Sequence, residues 1–187
     1  TWMRVFPAPG SGIYWSEKRL QADGDTLFYA EENISASVDF GQSWQPRANI
    51  AGAKDLSFNA NEWYVASPVG AFRSPDRGFT WYAANGLVEA SEPPGVAGVA
   101  SAGGRTYFSS TYGLFSTADG GKTFLLANNG YSSVAPVAAG DTVFYLTNLD
   151  LEMSVNGGEH FEKIPVPGQG CASCTFAEML GYQRNRL

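Results

Sequence analysis

The sequence predicts an all-β protein, a β-propeller of about five four-stranded antiparallel blades or a segment of a larger propeller. Three observations carry that prediction. An eight-residue phrase recurs four times at near-regular spacing, the signature of a repeat architecture. A segment rich in aromatic and β-branched residues precedes each copy, as a half-buried strand requires. Glycine at 22, proline at 10 and 14% aromatic residues in 187 favour short strands and tight turns over long helices.

The phrase reads SVDFGQSW at 37–44, SPDRGFTW at 74–81, TADGGKTF at 117–124 and SVNGGEHF at 154–161, at spacings of 37, 43 and 37 residues. All four fit one template: Ser or Thr, any residue, Asp or Asn, any, Gly, any, a small or polar residue, then Trp or Phe. Such a phrase is a hairpin turn. The short acceptor (Asp39, Asp76, Asp119, Asn156) bonds backbone N–H groups a few residues on. The glycine two places later (Gly41, Gly78, Gly121, Gly158) supplies a positive φ that other residues resist. The closing ring (Trp44, Trp81, Phe124, Phe161) pins the turn between sheets, and full burial of such a side chain contributes roughly 1.5–3 kcal/mol.

The strands follow in order. Matching segments stand before each turn: DTLFYA (25–30), EWYVAS (62–67), RTYFSS (105–110) and DTVFYL (141–146). A second strand leads into the turn, as in GAFRS (70–74) and GLFST (113–117), and a third leaves its aromatic, as in WQPRA (44–48) and FLLA (124–127). The fourth is expected in the next small apolar segment, AKDLSFNA (53–60) or SVAPVAAG (133–140). The unit is thus a meander of about 40 residues, one propeller blade.

These turns resemble the Asp-box, or BNR repeat. The phrases GAFRSPDRGFTW and GLFSTADGGKTF are similar to blades of sialidases, of two-propeller xyloglucan-active glycoside hydrolases and of sortilin-type receptors. The resemblance runs through most of the chain and implies the fold; in those families the box is a structural turn away from the functional face. It also implies an extracellular or periplasmic setting.

Thr1–Trp2 align with Ser43–Trp44, and the C-terminal GYQRNRL aligns with the approach to a further strand. Residues 1–187 are therefore expected to form one propeller domain, its last blade shared between the termini, or a segment of a longer propeller. Three long connectors, PAPGSGIYWSEKRL (7–20), NGLVEASEPPGVAG (85–98) and VPGQGCASCTFAEM (166–179), are expected to project as loops and to form a binding rim. Within them Tyr14, Trp15, Glu17, Arg19, Glu89 and Glu92 are the candidate ligand-binding residues, a mixture suited to stacking on a sugar ring or anchoring a protein.

A net charge of −6 with scattered Lys and Arg excludes a basic footprint for nucleic acid. No apolar run is long enough to span a bilayer. Cys171 and Cys174 form a lone CASC beyond the only histidine, His160, too few ligands for zinc, and read as a local disulfide or two plain thiols. Neither a metal nor a cofactor is expected. NIS at 33–35 is a glycosylation sequon. A sialidase needs an arginine triad and a Tyr–Glu nucleophile pair, yet no arginine here lies in that family's anchoring motif. A glycoside hydrolase needs two carboxylates across a cleft. Glu17, Asp23, Asp55, Glu89, Glu92, Asp150 and Glu178 lie outside the turns, mostly as solvated loop charges, and no local motif singles one out, so no catalytic residue is assigned. The function expected is noncatalytic recognition of a glycan or protein. The alternatives are a portion of a carbohydrate-active hydrolase, or a scaffold whose edge strands pair with further blades or another chain.

Overall fold

The computed structural model describes residues 19–30, 33–59, 62–84, 95–147 and 150–165, which form sixteen strands and no helix. The first blade holds β1 (Arg19–Asp23), β2 (Thr26–Ala30), β3 (Ile34–Ser37) and β4 (Gln45–Ala48); the second holds β5 (Asp55–Phe58), β6 (Trp63–Ser67), β7 (Gly70–Ser74) and β8 (Tyr82–Ala83). In the third lie β9 (Val96–Ala102), β10 (Arg105–Ser110), β11 (Gly113–Thr117) and β12 (Leu125–Asn128), and in the fourth β13 (Val137–Ala139), β14 (Thr142–Leu146), β15 (Leu151–Ser154) and β16 (Glu162–Ile164). Every sheet is an antiparallel meander with its strands in chain order.

The blade is phased one strand differently from the sequence expectation. The small apolar segments AKDLSFNA and SVAPVAAG do not close a blade; they open the next one, as β5 and β13. These opening strands touch one another, β1 with β5, β5 with β9 and β9 with β13, so they line the interior where the sheets converge. Crowding there selects small side chains. At Gly98 on β9 an added Cβ would sit 2.3 Å from the Ala135 Cα, so no other residue fits. The same phasing shortens two predicted loops: residues 19–20 belong to β1 and 96–98 to β9.

The core lies between blades. Phe28, Ile34, Leu56, Trp63 and Val65 fill the first interface, where the Phe28 and Trp63 rings meet edge to face at 4.5 Å. Tyr64, Ala66, Ala84, Val96, Val99 and Phe108 fill the second, and Tyr107, Leu114, Val143 and Tyr145 the third. Asp55 ties two interior strands together. It is 1% exposed, and its carboxylate accepts from Leu56 N at 3.0 Å and from Val99 N, on the neighbouring blade, at 2.9 Å. This acid is therefore a buried clamp, contrary to the expectation of a solvated loop charge.

Because strands alternate in direction, connections alternate between two ends of each sheet. The octapeptide turns share one end with the hairpins that join the first and second strands; Gly157 N accordingly donates to Asp141 O at 2.8 Å. The other end carries the turns between second and third strands and the connectors from blade to blade. We call these the turn end and the connector end.

Candidate functional site

At the turn end the same hydrogen-bond circuit is built four times. The first-position hydroxyl donates to the third-position side chain and accepts from the fifth-position glycine N–H: Ser37 with Asp39 and Gly41, Ser74 with Asp76 and Gly78, Thr117 with Asp119 and Gly121, Ser154 with Asn156 and Gly158, all at 2.7–2.9 Å. The third-position oxygen in turn accepts the seventh-position N–H at 2.8–3.0 Å. Each first-position residue is at most 3% exposed. Hydroxyls of Ser43, Thr80 and Thr123 donate to the second carboxylate oxygen in the three Asp copies. These bonds hold the carboxyls of Asp39 and Asp76 down at about 2, led by the Ser43 and Thr80 side chains, and Asp119 lower still, led by Thr123. The first- and third-position side chains of the turns are thus consumed internally.

The sequence reading missed one feature of these turns. Their fourth and fifth residues both adopt positive φ, and in two copies the fourth is not glycine: Phe40 has φ 58° and Arg77 φ 57°.

The connector end carries a second repeated turn that the sequence reading also missed. In Ser67–Gly70 and Ser110–Gly113 the serine hydroxyl donates to the glycine carbonyl at 3.1 Å and accepts from Val69 N or Tyr112 N. The only available signal was the spacing of Ser and Gly in SPVG and STYG. These fixed turns display Val69 and Tyr112, 51% and 60% exposed, and the next connector displays Tyr131 at 41%. The connector itself is pinned, since Gly130 N donates to Asn128 Oδ1 at 2.7 Å and Tyr145 OH to Gly130 O at 2.6 Å.

Of the sequence-predicted rim residues, Arg19 opens β1 opposite Ala30. Tyr14, Trp15, Glu17, Glu89, Glu92 and the pair Cys171 and Cys174 lie outside the described residues. Asp23 ends β1, and Asp150 forms an ion pair with Lys163. A Tyr–Glu pair does exist: Tyr64 OH donates to Glu62 Oε2, and Glu62 Oε1 takes Arg73 Nη1 at 3.1 Å. Burial, then the bond to Glu62, pushes the Tyr64 phenol far above its ordinary range, so it keeps its proton and donates it to the Glu62 carboxylate. Among the described residues, no group of three or more His, Cys, Asp or Glu side chains is placed to hold a metal ion.

Among the described residues, a cleft opens on the outer side of the third and fourth blades. It has a volume of about 380 Å³ and is lined by Leu126, Ala127, Asn128 and Asn129 on one wall and by Glu152, Glu159, His160 and Phe161 on the other. The Asn128 amide donates to Glu152 across it. Two carboxylates therefore face one space that no sequence motif marked.

No family model and no curated relative matches the chain. Solved structures do. An ancestral GH74 enzyme superposes at a TM-score of 0.65 with 18% identity, over 81% of this chain and 24% of its own. A GH74 xyloglucanase from Xanthomonas campestris superposes at 0.59 with 13% identity, over 72% and 26%. YCF48 bound to a D1 peptide superposes at 0.57 with 16% identity, over 75% and 51%. The chain thus spans about a quarter of the GH74 enzymes and about half of YCF48. At these identities the likeness shows the fold alone, and it shows the sheets to be blades of a β-propeller.

Proposed function

We propose that the chain is a noncatalytic recognition module that binds a protein partner at its connector end, in an extracytoplasmic setting, and that its octapeptide turns are structural Asp-boxes. One observation carries this reading: Val69, Tyr112 and Tyr131 stand exposed on turns and a connector whose backbone is already fixed. Side chains held this way lose little freedom on binding, which suits them, the two tyrosine rings above all, as anchors. The solved likeness to YCF48 bound to a peptide is consistent with such a use of the fold.

The test is photo-crosslinking in the native host, with a benzophenone side chain placed at Tyr112 or Tyr131 and, as control, at Phe79 of the turn end. A discrete crosslinked protein from the first two positions and none from Phe79 is the expected result; the reverse pattern would overturn the assignment of faces. The hydrolase alternative has its own specific observation, Glu152 and Glu159 lining one cleft. It is checked by incubating the chain with xyloglucan. Release of reducing ends that Glu152→Gln abolishes would replace the recognition reading with a hydrolytic one.

A further inference from the structure

The cleft between the third and fourth blades has a counterpart between the first and second, and there the protein fills it with its own guanidinium. In the first blade the β3–β4 register shifts, pairing Ile34 with Ala48 and Ser35 with Pro46, which leaves Arg47 as the extra, bulged residue. The third blade shifts at the same place, pairing Leu114 with Asn128 and Phe115 with Leu126, which leaves Ala127. Arg47 and Ala127 are therefore equivalent positions. Arg47 reaches across to the next blade's octapeptide turn, its Cζ 3.5 Å from the centre of the Phe79 ring and its Nη2 donating to Arg77 O at 3.4 Å. Its Nε is buried with no hydrogen-bond partner among the described residues.

At the third junction every part of that arrangement is altered in one direction. The arginine becomes Ala127, which opens the space. Phe79, the sixth residue of its turn, becomes Glu159. Phe72, two residues before its turn, becomes Glu152. Lys163 lies opposite Glu152 on β16 but is held by Asp150. At the second junction the equivalent residue is Ala84, yet that space is closed: Ala84 is 4% exposed and packs with Phe115 and Phe124. So of the three junctions one is plugged by an arginine, one by apolar packing, and one is an open cleft of about 380 Å³ with carboxylates where the first has rings.

We propose that this cleft binds an arginine side chain presented by another polypeptide. A guanidinium there would find carboxylate acceptors for the N–H groups that Arg47 leaves unpaired, and such charge-assisted bonds are roughly twice as strong as neutral ones. Planar bidentate geometry favours arginine over lysine. The cleft also runs along β12, the edge strand of its sheet, whose outward backbone groups can take up an extended partner segment on either side of the arginine. None of the lining residues is among the exposed rings of the connector end, so this site stands or falls separately from the reading above.

The experiment titrates the full chain with acetyl-Val-Arg-Val-amide and with its citrulline analogue, following backbone amides by NMR. We expect shifts confined to Leu126–Asn129, Glu152 and Glu159–Phe161. The arginine peptide should bind about tenfold tighter than the citrulline peptide. Glu159→Gln, on an exposed turn, should remove about that factor without disturbing the fold. Ala127→Arg, which copies the first junction, should abolish binding by occupying the cleft. Equal binding of the two peptides, retention of binding in Glu159→Gln and Ala127→Arg, shifts elsewhere, or no shifts at all would each overturn the proposal.

Discussion

The octapeptide turns of the second and fourth blades, Ser74–Trp81 and Ser154–Phe161, have the same backbone and different chemistry. Both bury the first serine, and both use one side-chain oxygen to gather the seventh N–H. The second adds two bonds the fourth cannot make: Thr80 Oγ1 donates to Asp76 Oδ2, and Trp81 Nε1 donates to Gly78 O at 3.1 Å. Against this, the second turn carries Arg77 at positive φ where the fourth has Gly157. The shape is thus fixed by the serine hydroxyl, the Oδ1 acceptor and the fifth-position glycine; the carboxylate and the indole only reinforce it.

That division of labour predicts a ranking. The largest loss should come from the ring. Trp81→Ala removes a half-buried side chain packed on the first interface and should cost about 3 kcal/mol in urea unfolding, whereas Trp81→Phe, which copies the fourth blade, should cost about 1 kcal/mol for the lost indole bond. If Trp81→Phe cost as much as Trp81→Ala, the indole bond and not the packing would be what pins the turn. Next comes the hydroxyl. Ser74→Ala leaves the buried Gly78 N–H without its acceptor and should cost about 2 kcal/mol, and Ser154→Ala should cost the same through Gly158. A neutral Ser154→Ala would show that the two turns are held by different groups.

How far the sequence could be read follows from the same logic. A turn that needs a hydroxyl, an acceptor, a glycine and a ring at fixed offsets leaves four letters that recur, and with them came the repeat, the strand order on either side and the all-β class. Small interior strands leave almost nothing: VAGVASA is defined by crowding around Gly98, which only the neighbouring blade imposes, and so the phase of the blade was misread by one strand. The Asp55 clamp was illegible for a related reason, since its partner Val99 lies 44 residues away on another sheet. The cleft was legible in principle. Its signal lies in the positions where copies differ, Arg47 against Ala127 and Phe79 against Glu159, while a template records only what copies share.

The smallest effect separates the turns by charge. Asp39 and Asp76 ionise at about 2 in the folded chain, and Asp119 lower, against an ordinary value of 3.8. A carboxyl whose folded pKa is depressed stabilises the fold fully above its unfolded value. That contribution falls away as pH drops from about 4 towards 2, because the unfolded chain takes up the proton first. Asn156 has no proton to gain, so the third position of the fourth turn adds nothing to this slope. The carboxylates remain in contact with water and their bonds survive in part in the asparagine form, so Asp76→Asn should cost less at neutral pH than either substitution above. Its clearer mark is in the slope: unfolding free energy followed from pH 5 to 2 should fall less steeply in Asp76→Asn than in the parent, and the reverse exchange, Asn156→Asp with His160→Thr, should steepen it. If the slope were unchanged by both, the acids of these turns would be making bonds that persist equally in the unfolded chain, and the three Asp turns would differ from the fourth in composition alone.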